Sequence, residues 1–484
     1  MNKRKDVVEF ILELEKKFTV NLWKINNIKV WPLIRLKLFL AIISKLEGNE
    51  NRRINPLKNR GNKILVFIKS IFYIPSLLYF FLCLRSKRFL FFGYDNHRIS
   101  YHNQSYNRFF DTIINEINLK KDSFIFDFGF KQKNRVSNSD IFFNLENFLN
   151  TYFQLKKIHF KFSSKRVSLE GYETFLTFLR ANDFTSDLVN LITRDNIIIS
   201  ANDLYIKSKF FEKIILATKS EKIFLLNYYS EKFYALNLAC YNLDVESIDM
   251  QHGPNALTHL AYSNWSVVPF DGYAILPKTF WTWDDSSFRT TNTWTSKNNY
   301  HNTIQYGNPW VDYFRDNLRD SQKFKKENYV LYSLQPMSLE ILFSKNLLTL
   351  ISKSKYKWYL RLHPNQNKEK QKILNLFKNN GLEHKIVIDQ ATYDPLPLVL
   401  YNSLIHITNF SGCVLEASLL NKFSIILHDI GRDNFKDLIN LKKASYINQN
   451  ELSLDIINEC IKNSNTENYI SQKNTFYNYF SLIV

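Results

Sequence analysis

The feature that most constrains this chain is a repeated alternation. Short apolar runs, each closed by turn-forming residues, are separated by longer stretches with helical periodicity. The first series comprises Arg88-Phe-Leu-Phe-Phe-Gly93, Ser123-Phe-Ile-Phe126, Lys222-Ile-Phe-Leu-Leu226 and Val245-Glu-Ser-Ile-Asp-Met250, with a helical stretch such as Glu231 to Cys240 between runs. A second series begins at Tyr329-Val-Leu-Tyr-Ser333. It continues through Trp358 to Leu362, Lys385 to Ile388, Leu404 to Thr408 and Ser424 to Leu427. Apolar runs of this length read as strands buried on both faces, the mark of a parallel sheet, and the intervening helices supply its crossovers. Strands alternating with helices predict doubly wound α/β architecture, here in two tandem units.

Length agrees with a division. A chain of 484 residues exceeds what one ordinary core accommodates. The junction is predicted between Ile304-Gln-Tyr-Gly-Asn-Pro309 and the charged segment Arg315 to Asn328. The predicted organisation is a basic, partly apolar helical region over 1–87, a Rossmann-like domain over 88–322 and a second Rossmann-like domain over 323–484.

A composition 45% hydrophobic and 23% charged is that of a folded chain, not a disordered one. Cysteines stand at 83, 240, 413 and 460, too few and scattered for a disulfide framework or a CxxC zinc site. The segment Met1-Asn-Lys-Arg-Lys-Asp6 leads into an amphipathic pattern without a secretory core and cleavage site. A reducing, cytoplasmic setting is expected.

The formal charge of +19 is unevenly spread: residues 1–87 hold 18 Lys or Arg against 6 Asp or Glu. Between the clusters Lys58 to Lys63 and Arg85 to Arg88 runs the apolar stretch Ile64 to Leu84, broken by Lys69 and Pro75. At 21 residues it is long enough to span a bilayer, although Lys69 and positive flanks on both sides argue against spanning. Helices lying in the plane of an anionic leaflet account for both charge and apolarity, and a helix in the core of the first domain is the plainer reading. Nucleic acid is not expected as a partner, because zinc-finger spacing, RNP-like motifs and basic heptad helices are lacking.

Three clusters lie just after predicted strands, at the carboxyl edge where open α/β sheets bind ligands. The first is Asp249-Met-Gln-His-Gly253, followed by His259 and Tyr262; His252 beside Gly253 can bring an imidazole and open backbone donors to a substrate. Its plain reading is a structural turn. The second is Arg361-Leu-His-Pro364, where Arg361 and His363 can meet phosphate oxygens, although a His-Pro step is also a common turn. In the third, Thr408-Asn-Phe-Ser-Gly-Cys-Val-Leu-Glu-Ala417, the amides and hydroxyl of Ser411 and Gly412 at a helix start can seat a phosphate. Glu416, one turn later, is either a ribose ligand or an ordinary surface residue.

Together these motifs resemble those of bacterial capsule and O-antigen glycosyltransferases, over roughly residues 88 to 440. They are the Gln251-His-Gly253 turn with downstream His259 and Tyr262, a Gly307-Asn-Pro309 turn followed by Asp312, His363-Pro364, and Ser411-Gly-x-x-x-Glu-Ala417. More distantly the chain resembles the His-Pro and Ser-Ser sialyltransferase and Kdo-transferase group and the CDP-glycerol glycerophosphotransferases. The resemblance implies a GT-B fold, two Rossmann-like domains facing a cleft, with the acceptor on the first domain and a nucleotide sugar on the second.

By that resemblance His363, Arg361, Ser411 and Gly412 meet the donor phosphates and Glu416 the ribose. His252, with Gln251, Gly253, His259 and Tyr262, would face a glycan or lipid-linked acceptor, and His252 and His363 would be the catalytic pair. Phe410-Ser411 departs from the paired hydroxyl residues of the sialyltransferase-like group, which leaves both CMP- and UDP-activated donors open. No DxD triplet is present, so neither a metal nor another cofactor is expected, and no GxxxxGK[ST] loop is present. Attachment is expected to be peripheral, at the inner face of the cytoplasmic membrane. A non-hydrolysing UDP-sugar 2-epimerase shares the Gly-Asn-Pro and Ser-Gly-x-x-x-Glu segments but would carry Thr-His-Arg where this chain has Ser333-Leu-Gln-Pro336. CDP-polyol phosphotransfer and a non-catalytic polysaccharide-assembly role are the remaining alternatives.

Overall fold

The computed structural model describes residues 4–46, 68, 70–129, 135–159, 167–255, 257–319, 328–464 and 479. It divides into two compact units, one taking 1–99 and 103–306 and the other 100–102 and 307–482. The cluster Lys58 to Lys63 and the first residues of the apolar run lie outside the described residues.

The first unit is built on seven parallel strands: β1 (Phe89–Tyr94), β2 (Ser123–Phe128), β3 (Phe142–Asn144), β4 (Lys222–Leu225), β5 (Glu246–Met250), β6 (Thr279–Thr282) and β7 (Asn302–Gln305). Their spatial order is β7-β6-β5-β4-β1-β2-β3. The second unit has β8 (Tyr329–Ser333), β9 (Lys357–Arg361), β10 (Ile386–Val387), β11 (Ile405–Thr408), β12 (Ser424–Ile426) and β13 (Ala444–Tyr446), all parallel, in the order β10-β9-β8-β11-β12-β13. In both sheets the chain starts centrally, works to one edge and returns to the other side of its first strand. That is the Rossmann order, with a switch point between β1 and β4 in one sheet and between β8 and β11 in the other. Two Rossmann-like units are therefore present, as the alternation predicted.

The central strands form because nearly every side chain is buried. Phe91 stacks on Phe224 at 4.9 Å between ring centroids, and Phe92 meets Phe126 at the same distance. In the second unit Val330, Trp358, Leu360, Ile405, Ile407 and Ile425 make the corresponding layer. Each such side chain contributes roughly 1.5–3 kcal/mol on burial.

Helices relevant below are α1 (Arg4–Lys17), α2 (Trp31–Leu46), α3 (Ile74–Cys83), α4 (Glu146–His159), α5 (Arg194–Thr218), α6 (Glu231–Leu243), α7 (Pro309–Arg319) and α8 (Cys413–Leu419). Residues 4–46, grouped by sequence with the basic region 1–87, pack into the first unit. Glu15 of α1, 2% exposed, accepts from Trp31 Nε1 at 2.9 Å and Arg35 Nε at 2.7 Å. Arg35 of α2 also donates to the carbonyls of Leu260, Ser263 and Asn264. A buried pair of this kind is costly to break, about 3–5 kcal/mol, so α1 and α2 hold the 260–266 loop in place. At the start of the second unit Gly307 takes φ +81°, close to Asp312, and Asn308 Oδ1 accepts from Trp310 N at 3.0 Å to begin α7.

Candidate functional site

In the first unit the loops after β1, β4 and β5 converge at the switch point. His97 lies in the turn after β1, Tyr229 after β4 and His252 after β5. The rings of His97 and His252 are 5.6 Å apart, and Tyr229 lies 6.3 Å from His252 and 5.4 Å from His259. Tyr94 OH donates to Ser230 Oγ at 2.7 Å, tying the end of β1 to the start of α6.

Each residue of the first sequence cluster has a distinct placement. Gln251 is buried and structural: its Oε1 accepts from Trp283 N at 2.7 Å, while Nε2 donates to Gly253 O at 2.9 Å and Ser287 Oγ at 3.0 Å. It clamps the turn that presents His252. The His252 ring is half-buried, with Nδ1 sealed from solvent and without a hydrogen-bond partner. Burial, reinforced by the charges of His259 and Arg108, lowers its pKa to about 4. An unperturbed imidazole titrates near ~6.5, whereas this ring is neutral across the physiological range. Gly253 has open space where a side chain would stand.

His259 packs against Tyr229, Tyr262 and Phe39 of α2, and burial, followed by the charge of Arg4, lowers its pKa to about 4. Tyr262 OH donates to Asp249 Oδ2 at 3.1 Å, and Asp249 Oδ1 accepts from Tyr228 N at 3.1 Å. Burial outweighs those bonds and pushes the Asp249 carboxyl up to about 8. The first-unit site is thus a cluster of buried histidine, tyrosine and carboxyl side chains among aromatic rings, with the charge of Arg108 acting on it. Sequence reasoning missed His97, Tyr229 and Arg108. The signal for the first two was the one used for His252, a position just after a central strand.

The second unit arranges its histidines differently. His363 caps the turn after β9: its Nδ1 accepts from Asn365 N at 3.2 Å, and its backbone N–H donates to Gln366 Oε1 at 3.3 Å. With Nδ1 accepting, a neutral ring carries its proton on Nε2 as a donor. His428, after β12, repeats the device, Nδ1 accepting from Ile430 N at 3.2 Å, and its ring lies 5.5 Å from Phe410. His428 was not singled out by sequence.

A buried amide network holds these loops together. Gln366 Nε2 donates to Gln335 O at 2.5 Å; Gln335 Oε1 accepts from Thr408 Oγ1 at 3.1 Å and Phe410 N at 3.2 Å; Thr408 Oγ1 also donates to Ser333 O at 2.8 Å. The loops after β8, β9 and β11 are thereby joined at the switch point, so that the His363 turn and the Ser411 turn form one assembly. Ser411 Oγ accepts from Cys413 N at 3.3 Å, and Ser411 N donates to Thr408 Oγ1 at 3.3 Å. Gly412 is the cap residue of α8, and Glu416 on its first turn is 6% exposed, not a surface residue. Arg361 Nη1 donates to the carbonyls of Ala391 at 2.7 Å and Asp394 at 3.0 Å, which fixes the guanidinium against the 391–394 turn. Among the described residues no group of three His, Cys, Asp or Glu is placed to hold a metal ion.

No known family model matches the chain, and no curated protein matches it in sequence. Solved structures similar to it include the UDP-GlcNAc 2-epimerase of Methanocaldococcus jannaschii in complex with UDP-GlcNAc and UDP, 12% identical, covering 82% of this chain and 99% of that one at a TM-score of 0.45. The UDP-GlcNAc 2-epimerase of Neisseria meningitidis bound to UDP-GlcNAc is 14% identical over 81% and 98%, at 0.47. The glycotransferase of kitacinnamycin is 8% identical over 79% and 92%, at 0.40. Likeness at this level carries no functional argument.

Proposed function

We propose that the protein is a glycosyltransferase, moving a sugar from a UDP- or CMP-activated donor to a growing capsule, O-antigen or lipid-linked glycan. The observation that supports it most is the second-unit assembly, in which Gln335 and Gln366 bind the His363 and Ser411 turns into one rigid edge at a switch point. Preorganised donors at such an edge suit a nucleotide phosphate. His363 Nε2–H and the Ser411-Gly412 turn serve the departing phosphate, Arg361 adds positive charge behind it, and Glu416 serves the ribose.

In the reaction the bond from the sugar's anomeric carbon to the phosphate oxygen breaks, and a bond from that carbon to an acceptor hydroxyl oxygen forms. The hydroxyl proton passes to His252, whose neutral ring has a lone pair to receive it. His259, Tyr262 and Gly253 shape the acceptor side. No metal or other cofactor is assigned a step, the sequence having no DxD triplet.

The test is release of free nucleotide from a panel of UDP-sugars, CMP-sugars and a CDP-polyol, with and without glycan acceptors. Acceptor-dependent release of UDP or CMP from a sugar donor is expected. Release of CMP from the CDP-polyol alone would make the protein a polyol phosphotransferase. Interconversion of a UDP-sugar without acceptor would make it an epimerase, and binding without turnover a non-catalytic assembly protein.

A further inference from the structure

The helix α3 has two unlike faces. Leu77 and Phe80 point inward, and Phe80 packs against Phe126, Phe143, Phe148 of α4 and Phe210 of α5. The opposite face, at helical spacing, presents Leu78, Tyr79 and Leu82 at 60%, 69% and 74% exposure. Just before the helix Phe72 is 78% exposed and Ile71 46%. Single exposed apolar residues are ordinary, but a contiguous patch of large ones on a short segment marks a surface that meets something apolar. Beside it lies a groove of about 470 Å³ lined by Tyr79, Phe80, Cys83, Phe143 and Phe148.

Charge identifies the occupant. Arg85, at the end of α3, donates to the carbonyls of Leu82 and Leu84, which keeps its guanidinium at the rim of the patch. Lys121 is exposed, Lys120 is exposed and paired with Asp140 at 2.9 Å, and Lys87 Nζ donates to the carbonyl of Lys121, gathering lysines there. The sequence adds Lys58, Arg60, Lys63 and Lys69 immediately before the helix. A protein partner of ordinary composition does not call for this combination, whereas an anionic bilayer supplies hydrocarbon for the patch and phosphate for the cations. By itself α3 is too short to span: its 10 residues rise about 15 Å against a hydrocarbon core of ~30 Å. No described helix is long and apolar enough to cross a membrane.

We propose that the outer face of α3, with Ile71 and Phe72, lies in the plane of an anionic phospholipid leaflet and seats the protein there, the neighbouring groove taking part of an acyl chain. This holds independently of the reaction the protein performs. The test uses the full chain in co-sedimentation with vesicles of phosphatidylcholine alone and of phosphatidylcholine mixed with phosphatidylglycerol.

Wild type is expected to sediment with the mixed vesicles, to do so less as salt rises, and to be released by alkaline washing. The double variant Leu78→Gln/Leu82→Gln, on exposed positions, should bind at least roughly tenfold more weakly with unchanged melting. Phe270→Gln, another exposed residue of the first unit at 71%, should bind as wild type does. Equal binding by wild type and the double variant, or retention after alkaline washing, overturns the proposal. So does absence of sedimentation: if the double variant then changes the oligomeric mass, the face joins two copies, and if it does not, the chain itself covers the face.

Discussion

The two units solve the same problem, holding a histidine at the carboxyl edge of a Rossmann sheet, by opposite means. In the second unit backbone amides do it: His363 and His428 each accept an N–H two residues ahead, which fixes the ring and leaves Nε2 as a donor. In the first unit packing does it. His97, His252 and His259 sit among Tyr229, Tyr262 and each other, with the Nδ1 atoms buried and unbonded, and burial depresses all three pKa values. A ring held by amides is suited to donating to an anion. A ring held by aromatic walls is neutral and so in the form a base must have before it acts, while its lowered pKa makes it a weak one. Under the proposed function the amide-held ring would bind and the aromatic-walled ring would react, a contrast that can be broken experimentally.

The largest effect is expected at His252. If it receives the acceptor proton, His252→Ala should cut turnover by ~10²–10⁴-fold while leaving nucleotide affinity nearly unchanged, because proton transfer is a turnover term and not a donor-binding term. Single-turnover rates beside nucleotide titration check this. A folded variant with full acceptor-dependent turnover would reduce the Gln251-His-Gly253 turn to structure.

At His363 the informative change is to asparagine. Its side-chain oxygen can still cap Asn365 N, so the turn survives, but the imidazole Nε2–H is lost. A missing hydrogen bond to a charged phosphate, at roughly 1.5–3 kcal/mol, predicts a loss of about ten- to a hundredfold, with donor affinity falling as well. Wild-type nucleotide affinity in His363→Asn would show that the cap is the whole of its role.

A smaller effect distinguishes the two kinds of ring by pH. A base acts while deprotonated, so its contribution is present above its pKa and lost as pH falls through it. With the His252 pKa lowered to about 4, kcat/KM should change less than twofold between pH 7.5 and 5.5 on account of this group. An ordinary imidazole near ~6.5 would instead lose about tenfold over that interval. An acid limb near 6.5 would therefore mean that the ring is solvated in the working enzyme.

These sites were unequally legible in the sequence. The central strands were readable because Phe89 to Phe92, Tyr329 to Ser333 and Ile405 to Thr408 are buried on both faces, and continuous apolarity is a signal that one sequence carries. The strands missed in the two parallel sheets were of two kinds. β3 and β13 are three-residue edges, and β6, Thr279-Phe-Trp-Thr282, hides its buried hydroxyls in a polar-looking stretch. Post-strand position found His252, His363 and Ser411. The same position marks His97, in the turn after β1, but only the β1-β4-β5 adjacency brings it to His252, and that adjacency is not local in sequence. The role of α1 and α2 was likewise invisible, since the Glu15–Arg35 pair reaches a loop more than 200 residues away.

The smallest expected effect is on stability, at Gly253, and it sharpens the comparison because the substitution costs the fold nothing. Gly253 does not have a positive φ, and a Cβ added there meets no atom within 4 Å. Gly253→Ala should therefore leave melting unchanged or raise it slightly, as replacing glycine at a compatible position restricts the unfolded chain by about 0.4–1 kcal/mol. The open space is then room for something other than the protein. If the acceptor approaches the backbone beside His252, the added methyl group should lower turnover severalfold and raise the acceptor KM, with nucleotide affinity untouched. Equal turnover and KM in a variant of equal or greater stability would place the acceptor away from this turn, and would leave His97 and Tyr229 as the edge of the pocket to probe next.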